Sequence, residues 1–194
     1  MGMPQITPGR YKVWECVSAL QKAIRRGQEV EALHWFYELE AAKLYALAAN
    51  RVRICSQEDI GLADHNAVIF VHITLTDAER LYKGKNPAWR ICIGNAIRTL
   101  CRARKSREGD HFQAAVQYRR AHSARINVPD HAKDHHTAAG RKLGRGLAFF
   151  RTEGAQLHPL ASPDPYEADA YKQWAEEQDC RANQGKEQNL FPPA

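Results

Sequence analysis

The feature that most constrains this chain is the return of apolar residues every three or four positions from Lys12 to Arg104. Val13, Val17, Leu20 and Ile24 are spaced four, three and four apart, which places them on one face of a helix over Lys12–Arg26. Gly27 follows Arg25 and Arg26, a basic last turn with a glycine stop. A second helix is predicted over Gln28–Glu40, with Val30, Leu33, Phe36, Tyr37 and Leu39 apolar, and a third over Leu44–Ile54. Asp64 is the expected N-cap of a fourth, His65–Leu81. Its β-branched run "AVIFVHITL" resembles a strand, but the segment is too long for one and its polar residues return with the helical period. Asn86 and Pro87 are expected as N-cap and first residue of a fifth helix reaching Arg104, with Ile93, Ala96, Ile97 and Leu100 buried. Asp110 is expected to cap a sixth, "HFQAAVQYRRAH", and a short glycine-containing helix and "LAFF" follow Val128-Pro129. The fold class is therefore all-α, a compact multi-helix domain. The expected organisation is an N-terminal extension at 1–11, a helical domain at 12–153 and a Pro/Gln-rich acidic tail at 154–194. One short amphipathic helix is expected in that tail, over Tyr166–Glu177, with Tyr171 and Trp174 on it.

Composition enters through charge. The net charge is +6, but it is unevenly spread. Residues 80–145 hold 16 Lys/Arg and 4 Asp/Glu, a net +12, so the rest of the chain is acidic. Such a middle third favours nucleic acid or an acidic partner. Cys16, Cys55, Cys92, Cys101 and Cys180 are an odd set without a CxxC, and four of them lie in apolar helical patterns. They read as small hydrophobes in a reducing compartment. No apolar run is long enough to span a bilayer, and "MGMPQITPGR" has neither a signal-peptide core nor a myristoylation serine. A cytoplasmic protein with no membrane contact is expected.

Nucleotide-hydrolysing motifs do not match: "KGKNP" at Lys83–Pro87 lacks the leading glycine and the Ser/Thr of a phosphate cradle. GxSxG, HExxH, GxGxxG and paired CxxC are also absent, so no enzyme activity and no cofactor are expected. The stretch "RTLCRARKSREGDH" gathers Arg98, Arg102, Arg104, Lys105 and Arg107, and Arg119, Arg120, Arg141 and Lys142 add to it downstream. Two readings fit. Such cations neutralise phosphates; they also favour helix C-termini through the macrodipole. Tyr82, Trp89 and Tyr118 could interleave as stacking groups, but composition favours the core for each. "DHAKDHH" offers His131, His135 and His136. Residues 131 and 135 share a helical face and would suit a metal only if that segment is helical, while a solvated helix start fits as well.

"RVRICSQEDIGLAD", Arg51–Asp64, carries two arginines and three acids between two apolar runs. As chemistry it offers a carboxylate pair, Glu58 and Asp59, but no accompanying nucleophile or ligand set. As structure it is a helix junction. Arg51 and Arg53 lie in the last turns of the third helix, and Glu58 and Asp59 in a loop, paired with those arginines. Ser56 or Asp59 serves free backbone N–H groups, Gly61 takes a positive φ and Asp64 caps the fourth helix.

Together with "SALQKAIRRGQEVEALHWFYEL", this segment resembles the C-terminal domain of the MgsA/RarA group of AAA+ ATPases. Members of that group read close to "SALHKSIRGSDPDAALYWL" and "RRLVRIASEDIGLADP". Arg51, Arg53, Ser56, Glu58, Asp59, Gly61 and Asp64 match the second block, with Gln57 an added residue. "NAIRTLCRARKS", "VPDHAKD" and "GRKLGRG" resemble later blocks in the right order, so the similarity covers about 15–150. The resemblance implies a clamp-loader-type oligomerisation domain, a homo-oligomer (a tetramer in the family) and an association with DNA at stalled forks and gaps. The ATPase and lid motifs of the family are not in this sequence. The expectation is a stand-alone, non-catalytic module of replication, recombination or repair, acting with a separately encoded AAA+ ATPase. A protein–protein adaptor without DNA contact is the alternative, and a small metal-dependent enzyme a third.

Overall fold

The computed structural model describes residues 4–160 and 164–176. All regular structure among the described residues is helical, apart from one isolated antiparallel bridge between Ile6 and Lys12. The chain divides into two units, Met1–Arg125 and Ile126–Ala194.

The first unit is built from α1 (Val13–Arg25), α2 (Glu29–Ala41), α3 (Tyr45–Cys55), α4 (His65–Lys83), α5 (Trp89–Arg102) and α6 (Glu108–His122). α1 and α2 form one helical hairpin, α4 and α5 another, and α3 joins them. The hairpin turn after α1 is set by Gly27, at φ +74°. Its N–H reaches back to the Ile24 carbonyl, and that of Gln28 to Ala23. A Cβ at Gly27 would also press on the Cys101 carbonyl at 3.2 Å, so glycine is required twice over. The predicted face Val13, Val17, Leu20 and Ile24 is buried. It meets Phe36 and Leu39 of α2, Val52 of α3, Leu75 of α4, and Ile93, Ile97 and Leu100 of α5 in a single core. Cys16, Cys55 and Cys101 are buried and unpaired in that core; Cys180 lies outside the described residues. The N-terminal extension is tied down: Gly9 N–H donates to Glu38 Oε1 at 2.6 Å.

Two expected helix starts and one helix end shift. α5 begins at Trp89, and Asn86 instead accepts from Ala88 N–H through Oδ1, stopping the turn ahead of the helix. α6 begins at Glu108, so Asp110 sits inside its first turn and pairs with Arg107 rather than capping. The third helix does not end in a loop. It widens into a π-turn over Ser56–Ile60, then tightens into a 3₁₀ turn over Gly61–Ala63. Among the elements before it, α6 packs chiefly on this segment, and it buries no residue of its own.

The second unit holds a 3₁₀ turn at Asp130–Ala132, α7 (Ala138–Lys142) and α8 (Leu147–Phe149), which runs on as a π-turn over Phe150–Gly154. A further helix spans 167–176, where Trp174 stacks on the Arg151 guanidinium at 3.9 Å. Asp130 and Arg145 tie the ends of this unit's core segment together. The 3₁₀ turn stops at Ala132, so His131 and His135 do not share a helix.

Candidate functional site

The Arg51–Asp64 segment is the most heavily bonded polar region of the first unit, but its bonds differ from those expected. Arg51 and Arg53 do not pair with Glu58 and Asp59. Arg53 bonds Glu79 of α4 at 2.6 Å, and Arg51 donates to Gln21 of α1 at 3.1 Å. Asp59, 1% exposed, receives the Arg25 Nε–H of α1 at 2.7 Å. Glu58 gathers three donors, Gln21, Arg25 and Arg107, at 3.0, 3.2 and 3.0 Å. The Asp59 carbonyl accepts from Ser106 N–H, which pins the irregular segment leading into α6. Ser56 donates its hydroxyl to the Arg53 carbonyl, and Asp64 caps α4 by accepting from Ala67 N–H. Gly61 sits at φ +46°, where the chain reverses between the two turns. The segment thus fastens α1, α3, α4 and the start of α6 to one another, more than the two helices expected.

The π-turn falls where the resemblance read from the sequence implies one added residue, Gln57. A helix absorbs a single insertion by widening one turn from i→i+4 to i→i+5 bonding, which keeps the register on both sides. Gln57 is exposed on that widened turn, with its amide 3.5 Å from the His72 ring. Ser56, Asp59 and Ile60 stay buried.

The cations marked by sequence are dispersed by the fold. Arg98 and Arg102 converge on Glu29 of α2 at 3.0 and 2.6 Å. The Arg102 hydrogen bond, aided by Arg98, holds the Glu29 carboxyl below its ordinary range. Lys105 turns inward and donates to the carbonyls of Leu100, Cys101 and Ala103 at 2.7, 3.0 and 2.8 Å, closing the C-terminus of α5. Burial lowers its pKa. Arg104 donates to the Ala63 carbonyl, and Arg107 to Glu58 and Asp110. Arg141 serves the carbonyls of His135 and His136. Arg119, Arg120 and Lys142 are exposed and make no ion pair among the described residues. Trp89 is core, Tyr82 is half-buried against Tyr45 and Tyr118 stacks on His122.

In the second unit, Asp134, His135 and His136 bring one ligand atom each within 4.8 Å of one another. Asp134 already accepts from the His136 N–H and from its Nδ1, at 3.0 and 2.9 Å, and that hydrogen bond lowers its pKa. The carboxylate therefore serves the turn first.

A signal in the sequence that bears on function was passed over. α4 is apolar on two sides. Ala67, Val71, Leu75 and Ala78 face the core, while Ile69, Phe70 and Ile73 are 57%, 45% and 61% exposed on the opposite side. The β-branched run that resembles a strand is apolar because it supplies both faces.

Residues 28–189 match the family model described as the MgsA AAA+ ATPase C terminal. The chain is 33% identical over 167 residues to the replication-associated recombination protein A of Bacillus subtilis, covering 81% of this chain and 38% of that protein. The family match takes in the Arg51–Asp64 junction and, of the helices it fastens, α3, α4 and α6, while α1 precedes it. The chain belongs to the MgsA AAA+ ATPase C-terminal family.

Proposed function

We propose that this chain is a non-catalytic assembly module of replication-associated recombination, which self-associates and contacts DNA. The observation that carries the assembly part is the exposed face of α4. A surface of Ile69, Phe70 and Ile73 is costly to leave in water and is what an interface core requires. α6 adds Phe112 and Val116, also exposed, on a helix with no buried residue. The non-catalytic part is supported by the ion pairs of Glu58 and Asp59. Carboxylates that accept from Arg25, Arg107 and Gln21 are structural acceptors, poorly placed for proton transfer. The family's description supports a partner AAA+ ATPase, the resemblance read from the sequence supports a four-fold assembly, and the relative's own name supports a role in replication-associated recombination. No helix among the described residues is long and apolar enough to cross a membrane.

Light scattering across a concentration series tests the assembly. The native chain is expected to be oligomeric, and Ile69→Glu/Ile73→Glu to shift it to monomer while keeping its helical circular dichroism. A native chain that stays monomeric at every concentration overturns the reading. DNA contact is tested by mobility shift with single-stranded and forked DNA in a salt series. If assembly holds but no DNA is bound at low salt, the second reading, an adaptor using the same α4 face, replaces the first.

A further inference from the structure

The arginines and lysine that the sequence clusters at 98–107 are mostly spent on internal partners, whereas a different set of cations stands unpaired at one end of the first unit. We propose that this end, formed by the α2–α3 and α4–α5 turns, binds the phosphate backbone of nucleic acid through Lys43, Lys83, Lys85 and Arg90; this rests on the DNA contact proposed above. All four side chains are exposed, and none makes an ion pair or side-chain hydrogen bond among the described residues. They line a trough made of two adjoining depressions. A depression of about 350 Å³ is lined by Lys43, Tyr45, Glu79, Tyr82 and Lys83. It adjoins a second of about 510 Å³ lined by Tyr82, Lys83, Lys85, Pro87, Trp89 and Arg90. Tyr82 and Lys83 belong to both.

Helix electrostatics explain part of this set but not all of it. Lys43, Lys83 and Lys85 follow or end α2 and α4, where the macrodipole favours cations. Arg90 lies in the first turn of α5, where the same dipole disfavours a cation, and that turn holds no acid. Its guanidinium is kept there by lying on the Trp89 ring, 4.6 Å from the centroid. A positive helix end with an added arginine is suited to an anion. The acids nearby cancel only part of this charge, since Glu40 keeps one negative charge against the four cations. Glu79 is engaged by Arg53 at 2.6 Å, and Glu40 lies beside the Tyr82 hydroxyl, which burial and then that carboxylate push above its ordinary pKa. The floor is rigid: Tyr45 and Tyr82 stack at 3.9 Å, and Trp89 packs edge-on against both, at 5.5 and 5.3 Å. Nothing in the trough reads base edges, so the expected ligand is the backbone, without sequence preference.

The experiment is fluorescence anisotropy with a labelled single-stranded oligonucleotide and a labelled fork over a salt series, using the full chain. The variants are Lys43→Gln/Lys83→Gln/Lys85→Gln, Arg90→Gln, and Arg119→Gln/Arg120→Gln. Circular dichroism melts monitor folding of each; these exposed positions keep the backbone geometry of the original residues. The triple variant is expected to weaken binding at least about tenfold at low salt and to flatten the log–log salt slope by roughly 2, about 0.7 per lost single-strand contact. A native chain that binds while the triple variant binds equally well overturns this proposal and leaves DNA contact standing. A native chain that binds no DNA at all overturns both. A polyglutamate probe held as tightly as DNA in the same trough would show an acidic-protein surface instead, and would also overturn it.

Discussion

Removing either member of the Arg25–Asp59 pair should destabilise the protein, but by unequal amounts. Asp59 is buried to 1% exposure, and only its Oδ1 has a partner, the Arg25 Nε at 2.7 Å. Arg25 is one-third exposed and also bonds Glu58 at 3.2 Å. Arg25→Ala leaves a buried carboxylate with no counter-ion. Losses of one partner from a buried pair run to about 3–5 kcal/mol, and the partial exposure of Arg25 places this case at the lower end, about 3 kcal/mol. Asp59→Ala leaves an arginine that water and Glu58 can still serve, so its cost is about 1–2 kcal/mol, mainly lost hydrogen bonding and a small void. The double variant should resemble Asp59→Ala rather than the sum, a coupling of about 2–3 kcal/mol. Urea unfolding at neutral pH, followed by helical circular dichroism, measures all three; roughly 4 °C of melting temperature per kcal/mol is the corresponding thermal scale. Equal costs, or Asp59→Ala the worse of the two, would refute the claim that the burial of Asp59 rather than the pair itself sets the stability. A loss of DNA binding or assembly by Asp59→Asn with unchanged unfolding would return this segment to the candidates for a functional site.

Three further outcomes follow. Lys105→Met removes the donor to three carbonyls at the end of α5 and should cost about 1–2 kcal/mol in urea. Because burial lowers the Lys105 pKa, the unfolded chain binds more protons just below 10.5, so native stability relative to the variant should rise as pH climbs through that window. Glu29→Gln should lower the melting temperature at neutral pH and converge with the native chain in acid. The Glu29 carboxyl is held down chiefly by Arg102, so its contribution is present above the ordinary value of 4.5 and lost as pH falls through the lowered one. Deleting Gln57 should convert the π-turn to an ordinary helical turn and leave the fold intact, with a melting temperature within a few degrees; collapse of helical content on deletion would show that the extra residue is required.

The sequence alone determined the helices of the first unit and the inward faces of α1 and α5. Each apolar stripe is a local, periodic property, and Val13, Val17, Leu20 and Ile24 could be chosen without knowing what they meet. It also determined the family, because a block such as "EDIGLAD" is read in order along the chain. Partner choice was another matter. Whether Arg53 meets Glu58 or Glu79, or whether Lys105 points to solvent or to three carbonyls, depends on residues brought together from far along the chain. Charge counting along 80–145 saw one basic stretch, and the fold divided it into internal clamps at Arg98, Arg102, Lys105 and Arg107 and open cations at Lys83, Lys85 and Arg90. Lys43, from a different turn, joined the open set only in three dimensions. The second apolar face of α4 was present in the sequence, yet only the packing of Val71 and Leu75 showed which face was spent on the core and which was left exposed. Helical periodicity is carried by neighbours in the chain, whereas electrostatic pairing and surface exposure are properties of the packed molecule.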